Sequence, residues 1–539
     1  MPDRTATGAP PTVAAASTRR ADLPPQSPPR PLGGLAVAAL SVGGGLLLSG
    51  SFPPIAWWFL AVPGIAAFLI AVRGRHLRGG AVAGLLFGLA LFLPLLSWMR
   101  VIGLDAWVAL AAVQAGFLAF LGAGLTRVTR LPGWPLWAAC LWVGVEAARA
   151  RLPLGGFPWG RLAFAEAGGP LAPYAALGGS PLVSFVTALA GGVLAVVVTL
   201  LLRRRVRAAA PWALALAAIP LLAALIPLPS ALPTTGERSA VVAAVQGNVP
   251  RVGLDFLGQR RAVLNNHIQQ TQRLTELVAA GQLPRPDLVV WPENASDIDP
   301  YADAGVRADI TTAVRAVGVP TLVGAVAGAG SGRLRNLGIV WDPQGGPGES
   351  YLKRHPVPFG EYVPFRAQLE PFIGRLDRVP SDFVAGDRPG VLQVGPAVVG
   401  DVICFEVAYD DLLRDVVTGG ADLLVVQTNN ATYGRTSQPE QQLAISRLRA
   451  IEHGRAVVIA ATSGISAVIA PDGQLLDRSA DFTADLLVRR VPLRADLTVA
   501  DRVGAAPEWA LSAIGLLAVL LGSDRAHRRR ANGRPRTVR

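Results

Sequence analysis

The sequence predicts a multi-pass α-helical membrane bundle of about eight spans joined to an extracytoplasmic α/β domain. The first observation is composition: 51% of the 539 residues are hydrophobic and 16% are charged, with a mean hydropathy of +0.41. Such a chain is too apolar for a soluble protein of this length. The second is the order of segments, since apolar stretches fill residues 31–229 and strand-like runs alternate with helical stretches over 237–495.

Residues 1–30 are rich in Pro, Ser, Ala and Arg and have no apolar periodicity, which predicts a disordered cytoplasmic tail. A Pro-rich stretch separates the pair Arg19-Arg20 from the first apolar run, and this disfavours a twin-arginine signal. Residues 31–50 resemble the apolar region of a signal peptide, but the repeated spans that follow favour a retained first membrane helix.

Each apolar stretch is close to the roughly 20 residues that a membrane helix needs. Basic loops at 73–78, 126–130 and 203–207 alternate with weakly charged loops. If the basic loops are cytoplasmic, both termini lie inside and residues 230–504 lie outside. The predicted spans are 31–50, 54–72, 81–99, 104–125, 133–150, 178–202 and 210–229 in a seven-helix membrane domain over 31–229, then an eighth at 505–522 before a basic cytoplasmic tail at 523–539.

The net charge of +13 raises the question of nucleic-acid binding. Residues 239–495, however, contain 24 basic and 27 acidic side chains, so the α/β region is not basic. The excess of Arg lies in the tails and in short loops beside apolar spans, which is a signal of membrane topology. We therefore expect a membrane partner and no nucleic-acid partner.

Two cysteines in 539 residues provide no disulfide framework. Cys140 lies in an apolar span and is expected to be buried and inert. The sequence has no Cys/His spacing typical of zinc and no Gly-rich phosphate-binding loop, so we expect no metal and no cofactor.

The second cysteine, Cys404, ends an apolar strand-like run in the stretch DVICFEVAYD. A thiolate is an effective nucleophile, and neighbouring charges can lower its pKa. The alternative is a buried core cysteine, which is the usual role of a lone Cys in an apolar strand.

Two further residues favour the nucleophile. Glu293 follows the β-rich run DLVVW and Pro292, and strand ends that open onto loops are common places for catalytic groups. Lys353 is the only lysine among 50 basic residues, and lysine, unlike arginine, can lose its proton when it is buried. Taken singly, a solvated Glu and a surface Lys retained by chance remain alternatives.

Together the three residues form a coherent catalytic set. Glu293 would accept the thiol proton, Lys353 would stabilise a tetrahedral oxyanion and lower the thiol pKa, and Cys404 would be acylated. None of the five His lies in a G-x-S-x-G or H-E-x-x-H context that would indicate a different mechanism.

At this point the chain resembles a known family. WPE at 291–293, Lys353 before HPVPFGEYVPF, and ICFE at 403–406 are similar to the motifs of the nitrilase superfamily and, within it, of the apolipoprotein N-acyltransferases. VQGNVP at 245–250 and the stretch 428–469, which begins TNNATYG, add to the resemblance. The linked motifs cover most of residues 239–495.

The resemblance implies a nitrilase-like αββα sandwich over 237–495 with a Glu293-Lys353-Cys404 triad. Asn336, Glu361 and Glu406 match polar positions near the family's site, where orientation of Lys353 and a structural role are both open. The chain departs from the family's pattern in two places: Phe405 stands where a Tyr often follows the nucleophile, and the loop that follows the VQGN motif lacks the Trp that some relatives carry there. These departures concern the substrate loops.

The function implied is phospholipid-dependent N-acylation of the lipidated N-terminal cysteine of apolipoproteins, through a Cys thioester, at the bacterial plasma membrane. The partners implied are a phospholipid acyl donor and a diacylglyceryl-apolipoprotein acceptor. A membrane-anchored amidase or nitrilase that uses water is one alternative, although a soluble member would need no bundle. Another is a scaffold that pairs with a polyprenol-phosphate mannosyltransferase.

Overall fold

The structure, a computed structural model, describes residues 32–249, 259–371 and 374–532. The predicted tail at 1–30 and the end of the predicted basic tail, 533–539, lie outside the described residues. Residues 251–258, which follow the VQGN motif, lie outside them too. The first half of the described chain is helical, with helices α1 Gly34–Gly50, α2 Ala61–Val72, α3 Leu77–Leu95, α4 Leu104–Val128, α5 Trp134–Arg149, α6 Leu162–Ala165, α7 Ala175–Leu202 and α8 Val206–Ala223.

The next part is a two-sheet α/β domain. The strands are β1 Ser239–Gln246, β2 Leu288–Val290, β3 Thr321–Gly330, β4 Arg333–Asp342, β5 Gly346–Leu352, β6 Val391–Val394, β7 Ala397–Ile403, β8 Leu423–Thr428, β9 Val457–Ala461, β10 Ala467–Ile469, β11 Leu475–Arg478 and β12 Asp485–Pro492. In the first sheet the strands β1 to β5 follow one another, with β12 beside β1, and in the second the order is β11-β10-β9-β8-β7-β6.

The central strands of each sheet are parallel: β1, β2 and β3 in the first, and β7, β8 and β9 in the second. They read as continuous apolar runs because both faces are buried. The remaining helices are α9 Arg260–Ala279, α10 Ala304–Val317, α11 Arg366–Leu369, α12 Asp410–Thr418, α13 Gln438–His453, α14 Val499–Val503 and α15 Ala506–Asn532.

The layers follow from which apolar residues are buried together. Side chains of both sheets, such as Val242 and Val399, form one buried cluster between the sheets. Leu264 of α9 and Ile310 of α10 pack on the outer face of the first sheet. Leu412 of α12 and Leu448 of α13 pack on the outer face of the second. This is an αββα sandwich of the kind that the resemblance implies.

A helix overlaps each of the eight segments that the sequence predicts as spans. Among the residues that the structure describes, five helical segments are long and apolar enough to cross a membrane: Leu77–Leu95, Leu104–Val128, Ala172–Leu202, Val206–Ala223 and Ala506–Asp524. The helices α1, α2 and α5 are shorter, with 17, 12 and 16 residues. The count of about eight spans therefore stays a prediction. The helix α15 continues to Asn532, past the predicted end of the eighth span at 522.

The α12–α13 layer of the sandwich packs directly on the membrane bundle. Its apolar side chains belong to the same buried cluster as those of the helices α2 to α7. Gly179, within α7, has φ of +68°, and a Cβ there would lie 2.6 Å from Oε1 of Glu452 in α13. Glycine thus permits both the break in α7 and the close approach of the two parts.

Buried charges cross the same interface. Arg161, which precedes α6, pairs with Asp410 at the start of α12 and with Glu508 of α15, 3.2 Å away. Arg449 of α13 lies 2.7 Å from Asp410 and 2.5 Å from Glu452. Arg449 therefore pairs both within its own helix and with the start of α12.

Two charges in the predicted fifth span have partners that the sequence did not identify. Glu146 accepts hydrogen bonds from the Trp142 indole, at 3.2 Å, and from the Leu162 backbone N–H, at 2.9 Å. Arg149 donates to Gln114, at 3.1 Å, and to two backbone carbonyls of the segment 157–159. Both side chains are buried, so they hold the segment between α5 and α6 against the bundle.

Candidate active site

Cys404 stands at the turn that ends β7. It begins a short 3-10 helix, Cys404–Ala408, and its φ is +58°. A residue with a side chain rarely adopts this left-handed conformation, which costs about 1–3 kcal/mol and persists only where the surrounding structure enforces it. Gln442 of α13 donates a hydrogen bond to the Cys404 carbonyl at 3.1 Å. The turn is thus fixed from the helix that faces the bundle.

Glu293 follows β2 in the facing sheet and is 4% exposed. Its Oε1 accepts hydrogen bonds from Lys353 Nζ, at 3.0 Å, and from Asn336 Nδ2, at 2.7 Å. Its Oε2 accepts from the backbone N–H of Asn429, at 2.9 Å, directly after β8. Three elements therefore orient this carboxylate.

Lys353 follows the last residue of β5 and is 1% exposed. Its ammonium lies 3.0 Å from Glu293 Oε1 and 3.0 Å from Glu361. Burial alone lowers the pKa of Lys353, but the two carboxylates outweigh it and hold the pKa well above its usual value. Lys353 is therefore a fixed cation that can stabilise an oxyanion.

Asn336 on β4 ties the two carboxylates together. Its Nδ2 donates to Glu293 Oε1, at 2.7 Å, and to Glu361 Oε1, at 2.8 Å. Glu361 also accepts a hydrogen bond from the Val357 backbone N–H, at 2.7 Å. Asn336 and Glu361 thus lie in one network with Glu293 and Lys353.

Glu406 has a different environment. It is fully buried and accepts hydrogen bonds from the Tyr351 hydroxyl, at 3.0 Å, and from the backbone N–H groups of Ile403, at 2.7 Å, Arg354, at 2.7 Å, and His355, at 2.9 Å. No hydrogen bond to Lys353 is seen in the described part of the chain. The carboxylate therefore joins the end of β7 to the segment that carries Lys353, which is a structural contribution.

The charges around Cys404 set the state of its thiol. Cys404 keeps partial solvent exposure, but its pKa is raised to about 12, chiefly by burial of the thiol and next by the Glu293 carboxylate. Lys353 and a side-chain hydrogen bond with Thr428 act in the opposite direction. Lys353 does lower the thiol pKa, as expected from the sequence, but the net pKa is raised. The thiol needs a base to become a nucleophile.

A further buried acid lies beneath the site. Asp401 on β7 is 0% exposed, and neither of its carboxyl oxygens has a hydrogen-bond partner among the described residues. The same is true of Oε1 of Gln427 on β8. A Cβ on Gly338 of the facing sheet would lie 2.0 Å from Asp401 Oδ2 and 2.6 Å from Gln427 Oε1, so both oxygens lie close to this glycine. Burial raises the pKa of Asp401 well above its usual value.

A cluster of aromatic side chains, three of them from the bundle, covers the turn at Cys404. Phe405 stacks on Trp159, at 5.6 Å and 11°, and on Phe157, at 5.6 Å and 21°. Trp98 meets Tyr433 edge-on at 5.0 Å. The segment between α5 and α6 thus contributes Phe157 and Trp159 to the surroundings of the nucleophile.

Sequence reasoning missed several residues of the site. Asn429, Gln442 and Tyr433 were quoted only as part of the stretch 428–469, and Asp401 was not singled out. For Asn429 a signal exists, because it follows β8, which is parallel to β7, and the carboxyl ends of parallel strands meet at one edge. Within residues 32–249, 259–371 and 374–532, no group of three His, Cys, Asp or Glu side chains is placed to hold a metal ion.

Comparison with known proteins gives two family matches. Residues 44–193 match the apolipoprotein N-acyltransferase N-terminal domain, and residues 241–495 match carbon-nitrogen hydrolase. The second match covers the sandwich almost from β1 to its last strand.

Whole-chain relatives agree with these matches. An apolipoprotein N-acyltransferase of Mycolicibacterium smegmatis is 42% identical over 501 residues, covering 89% of this chain and 84% of that protein. One of Gloeobacter violaceus is 30% identical, covering 91% and 94%. Among solved structures, an amidase from Nesterenkonia sp. is 20% identical, with a TM-score of 0.37, and the match covers 51% of this chain and 97% of that one.

Proposed function

The chain belongs to the apolipoprotein N-acyltransferase family, and we propose that Cys404, Glu293 and Lys353 carry out its acyl transfer. The family resemblance seen in the sequence motifs is thereby confirmed. The protein is an acyltransferase of lipoprotein maturation and a bacterial membrane protein. The observation that carries the proposal is the buried Glu293–Lys353 contact beside a thiol held in a left-handed turn.

In the first half-reaction Cys404 Sγ attacks the ester carbonyl of a phospholipid while Glu293 accepts the thiol proton. Lys353 stabilises the oxyanion of the tetrahedral intermediate, and it is suited to this because its pKa is held high. The C–O bond then breaks, and the leaving alkoxide takes the proton from Glu293. The products are a lysophospholipid and a thioester on Cys404.

In the second half-reaction the free α-amine of the diacylglyceryl cysteine of an apolipoprotein attacks the thioester. Glu293 accepts a proton from the amine, and the C–S bond breaks to give an amide. The thiolate of Cys404 recovers a proton from Glu293, which restores the enzyme. Two half-reactions through one covalent intermediate predict ping-pong kinetics.

The raised thiol pKa supports a role for Glu293 as general base. With the pKa at about 12, only a minute fraction of the thiol ionises at neutral pH. A carboxylate that accepts the proton during attack removes the need for a free thiolate. Glu293 is held for this task by Lys353, Asn336 and the Asn429 backbone.

The membrane arrangement is part of the proposal. Basic loops on one side of the bundle would place both termini in the cytoplasm and the sandwich on the extracytoplasmic face, with about eight spans. Packing of α12 and α13 on the bundle supports a site close to the bilayer surface, where both acylated substrates reside. The comparisons do not support the mannosyltransferase partner considered from the sequence.

The test is intact mass spectrometry of the purified protein incubated with phospholipid, with the wild type beside Cys404→Ala. We expect an acyl adduct on the wild type alone, which neutral hydroxylamine removes. Added diacylglyceryl peptide should then receive the acyl group as an amide. Absence of an adduct in every lipid tried would remove the central intermediate, and release of free fatty acid without amide would indicate a hydrolase.

A further inference from the structure

One glutamine amide joins the α/β domain to three separate segments of the membrane bundle. Gln441 lies in the first turn of α13 and is 3% exposed. Its Oε1 accepts hydrogen bonds from the indoles of Trp98, at 3.1 Å, and Trp159, at 2.7 Å. Its Nε2 donates to the backbone carbonyls of Leu95, at 3.0 Å, and Pro53, at 3.2 Å. Both lone pairs and both N–H groups of the amide are thus used.

The two indoles lead from Gln441 to the nucleophile. Trp98 and Trp159 meet edge to face at 5.9 Å. Trp159 stacks on Phe405, the residue after Cys404, and Trp98 contacts Tyr433, whose hydroxyl lies within electrostatic reach of the Cys404 thiol. Gln441 therefore holds the two indoles that contact Phe405 and Tyr433.

Trp98 also lines a mainly apolar cavity of about 370 Å³. It lies at the ends of α1 and α3 that face the sandwich, and its wall includes Phe52, Pro94, Leu95, Trp98 and Gln441. The volume is in the range of small-molecule sites. Trp98 thus lines this cavity and also belongs to the cluster of aromatic side chains beside Cys404. Gln441 lines the cavity and holds the Trp98 indole.

We propose that Gln441 is a positioning residue for the acyl donor. By holding both indoles, it sets the apolar wall along which an acyl chain in the cavity is oriented toward Cys404. The proposal rests on the proposed acyl transfer. It concerns only the first half-reaction, because the attacking amine meets a chain that is already bound to the sulfur.

A purely structural role has a different consequence. If Gln441 only fastened α13 to the bundle, its loss would reduce the amount of folded enzyme and lower both half-reactions equally. The donor KM and the preference among acyl-chain lengths would then stay as in the wild type. The two roles are therefore separable by kinetics.

The experiment compares the wild type with Gln441→Met, which keeps the length and removes the side-chain hydrogen bonds. A second variant, Trp98→Phe, keeps an aromatic ring and removes one indole donor to Gln441. The control is Gln393→Met on the edge strand β6, where an exposed glutamine donates to the backbone carbonyls of Gly395 and Ala397. Rates are normalised to the fraction of Cys404 that a thiol reagent titrates.

Acyl-enzyme formation is measured with phosphatidylethanolamines of two chain lengths, and transfer of a preloaded acyl group to diacylglyceryl peptide is measured separately. We expect Gln441→Met to raise the donor KM at least tenfold and to weaken the chain-length preference. Transfer to the acceptor should stay within twofold, Trp98→Phe should shift the donor KM in the same direction, and Gln393→Met should match the wild type.

The proposal is overturned if both half-reactions fall equally, or if the donor KM and chain-length preference do not change. Should Gln441→Met fail to fold, an unchanged donor KM in Trp98→Phe would overturn it as well. Failure of the proposed acyl transfer would be distinct, because the wild type itself would then form no adduct on Cys404.

Discussion

Phe405 stacks on Trp159 with 5.6 Å between ring centroids and 11° between ring planes. The residue next to the nucleophile therefore rests on a side chain from the membrane bundle. Since Cys404 is held at a strained φ of +58°, a small shift of this contact would move the thiol. The catalytic turn is thus supported partly from outside the sandwich.

Replacing Phe405 tests this support. Stacked aromatic pairs contribute about 0.5–1.5 kcal/mol each beyond buried area, and Phe405→Leu loses two of them, with Trp159 and Phe157. We expect Phe405→Leu to slow acyl-enzyme formation by about tenfold. Phe405→Tyr, which restores the residue frequent in the family, should stay near the wild-type rate. A Leu variant as fast as the wild type would show that stacking does not support the turn.

Replacing Glu293 should change two properties of the site in opposite directions. Alkylation of the Cys404 thiol should become faster, and acyl transfer should be lost. Glu293 raises the thiol pKa, so Glu293→Gln should lower it and speed alkylation of Cys404 by iodoacetamide at pH 8. The same variant should lose acyl transfer, because the base is gone. In the wild type the alkylation rate should rise about tenfold per pH unit from pH 7 to 9 without a plateau, since the pKa is about 12.

Cys404→Ser, in which buried Cys140 is the remaining thiol, provides the background of labelling for that measurement. A plateau below pH 9 in the wild type would mean that the resting thiol is ionised. Slower alkylation in Glu293→Gln would contradict the electrostatic argument.

The sequence could predict the parts of the site that depend on residue type and strand ends. Cys404 and Glu293 lie where apolar runs stop, and Lys353 is distinctive as a single lysine among arginines. The helices of the bundle were predictable because hydropathy and length are local properties. The alternation of strands and helices predicted α/β layers, and the family resemblance added the αββα arrangement.

The contacts between the two parts could not be predicted. Gln441 lies 343 residues after Trp98 and 282 residues after Trp159. Nothing in the local sequences of the three residues distinguishes them from other buried polar and aromatic residues. Asp401 and Gln427 likewise read as ordinary strand residues until the two sheets are packed face to face. Such pairings depend on tertiary packing, to which local patterns are insensitive.

Asp401 should behave as a neutral acid. Neither carboxyl oxygen has a hydrogen-bond partner among the described residues, and Oδ2 lies with Gln427 Oε1 beside Gly338, so the buried carboxyl is expected to carry its proton. The unfolded chain releases that proton near pH 4 whereas the native protein keeps it, so stability falls with rising pH between about 4 and the raised native pKa. The variant Asp401→Asn has a hydrogen-bond donor at every pH, so its stability should not fall in this way.

We therefore expect Asp401→Asn to be more stable than the wild type at pH 8, with a difference that shrinks toward pH 4. Apparent Tm in detergent across this pH range measures it. Acyl transfer should be retained, because the substitution preserves shape and charge state. An offset that favours the wild type equally at every pH would show that an ionised Asp401 is required.

Breaking a buried ion pair between the bundle and the sandwich should lower the stability of the protein far more than breaking an exposed pair. Asp410→Asn would leave two arginines, Arg161 and Arg449, without their shared carboxylate, and their side chains are 4% and 0% exposed. Removing one partner of a buried pair costs about 3–5 kcal/mol, because the other charge stays buried. We expect a large fall in the apparent Tm, measured by heating in mild detergent.

The matched control is Asp309→Asn in α10, which breaks the pair with Arg261. Those side chains are 40% and 52% exposed, so the cost should be below about 1 kcal/mol. Added salt should reduce the control's effect further and leave that of Asp410→Asn nearly unchanged, since ions screen exposed charges better than buried ones. Equal Tm shifts in the two variants would contradict a role for Asp410 in joining the bundle to the sandwich. Because Arg161 lies two residues after Trp159, loss of Asp410 should also slow acyl-enzyme formation in the protein that remains folded.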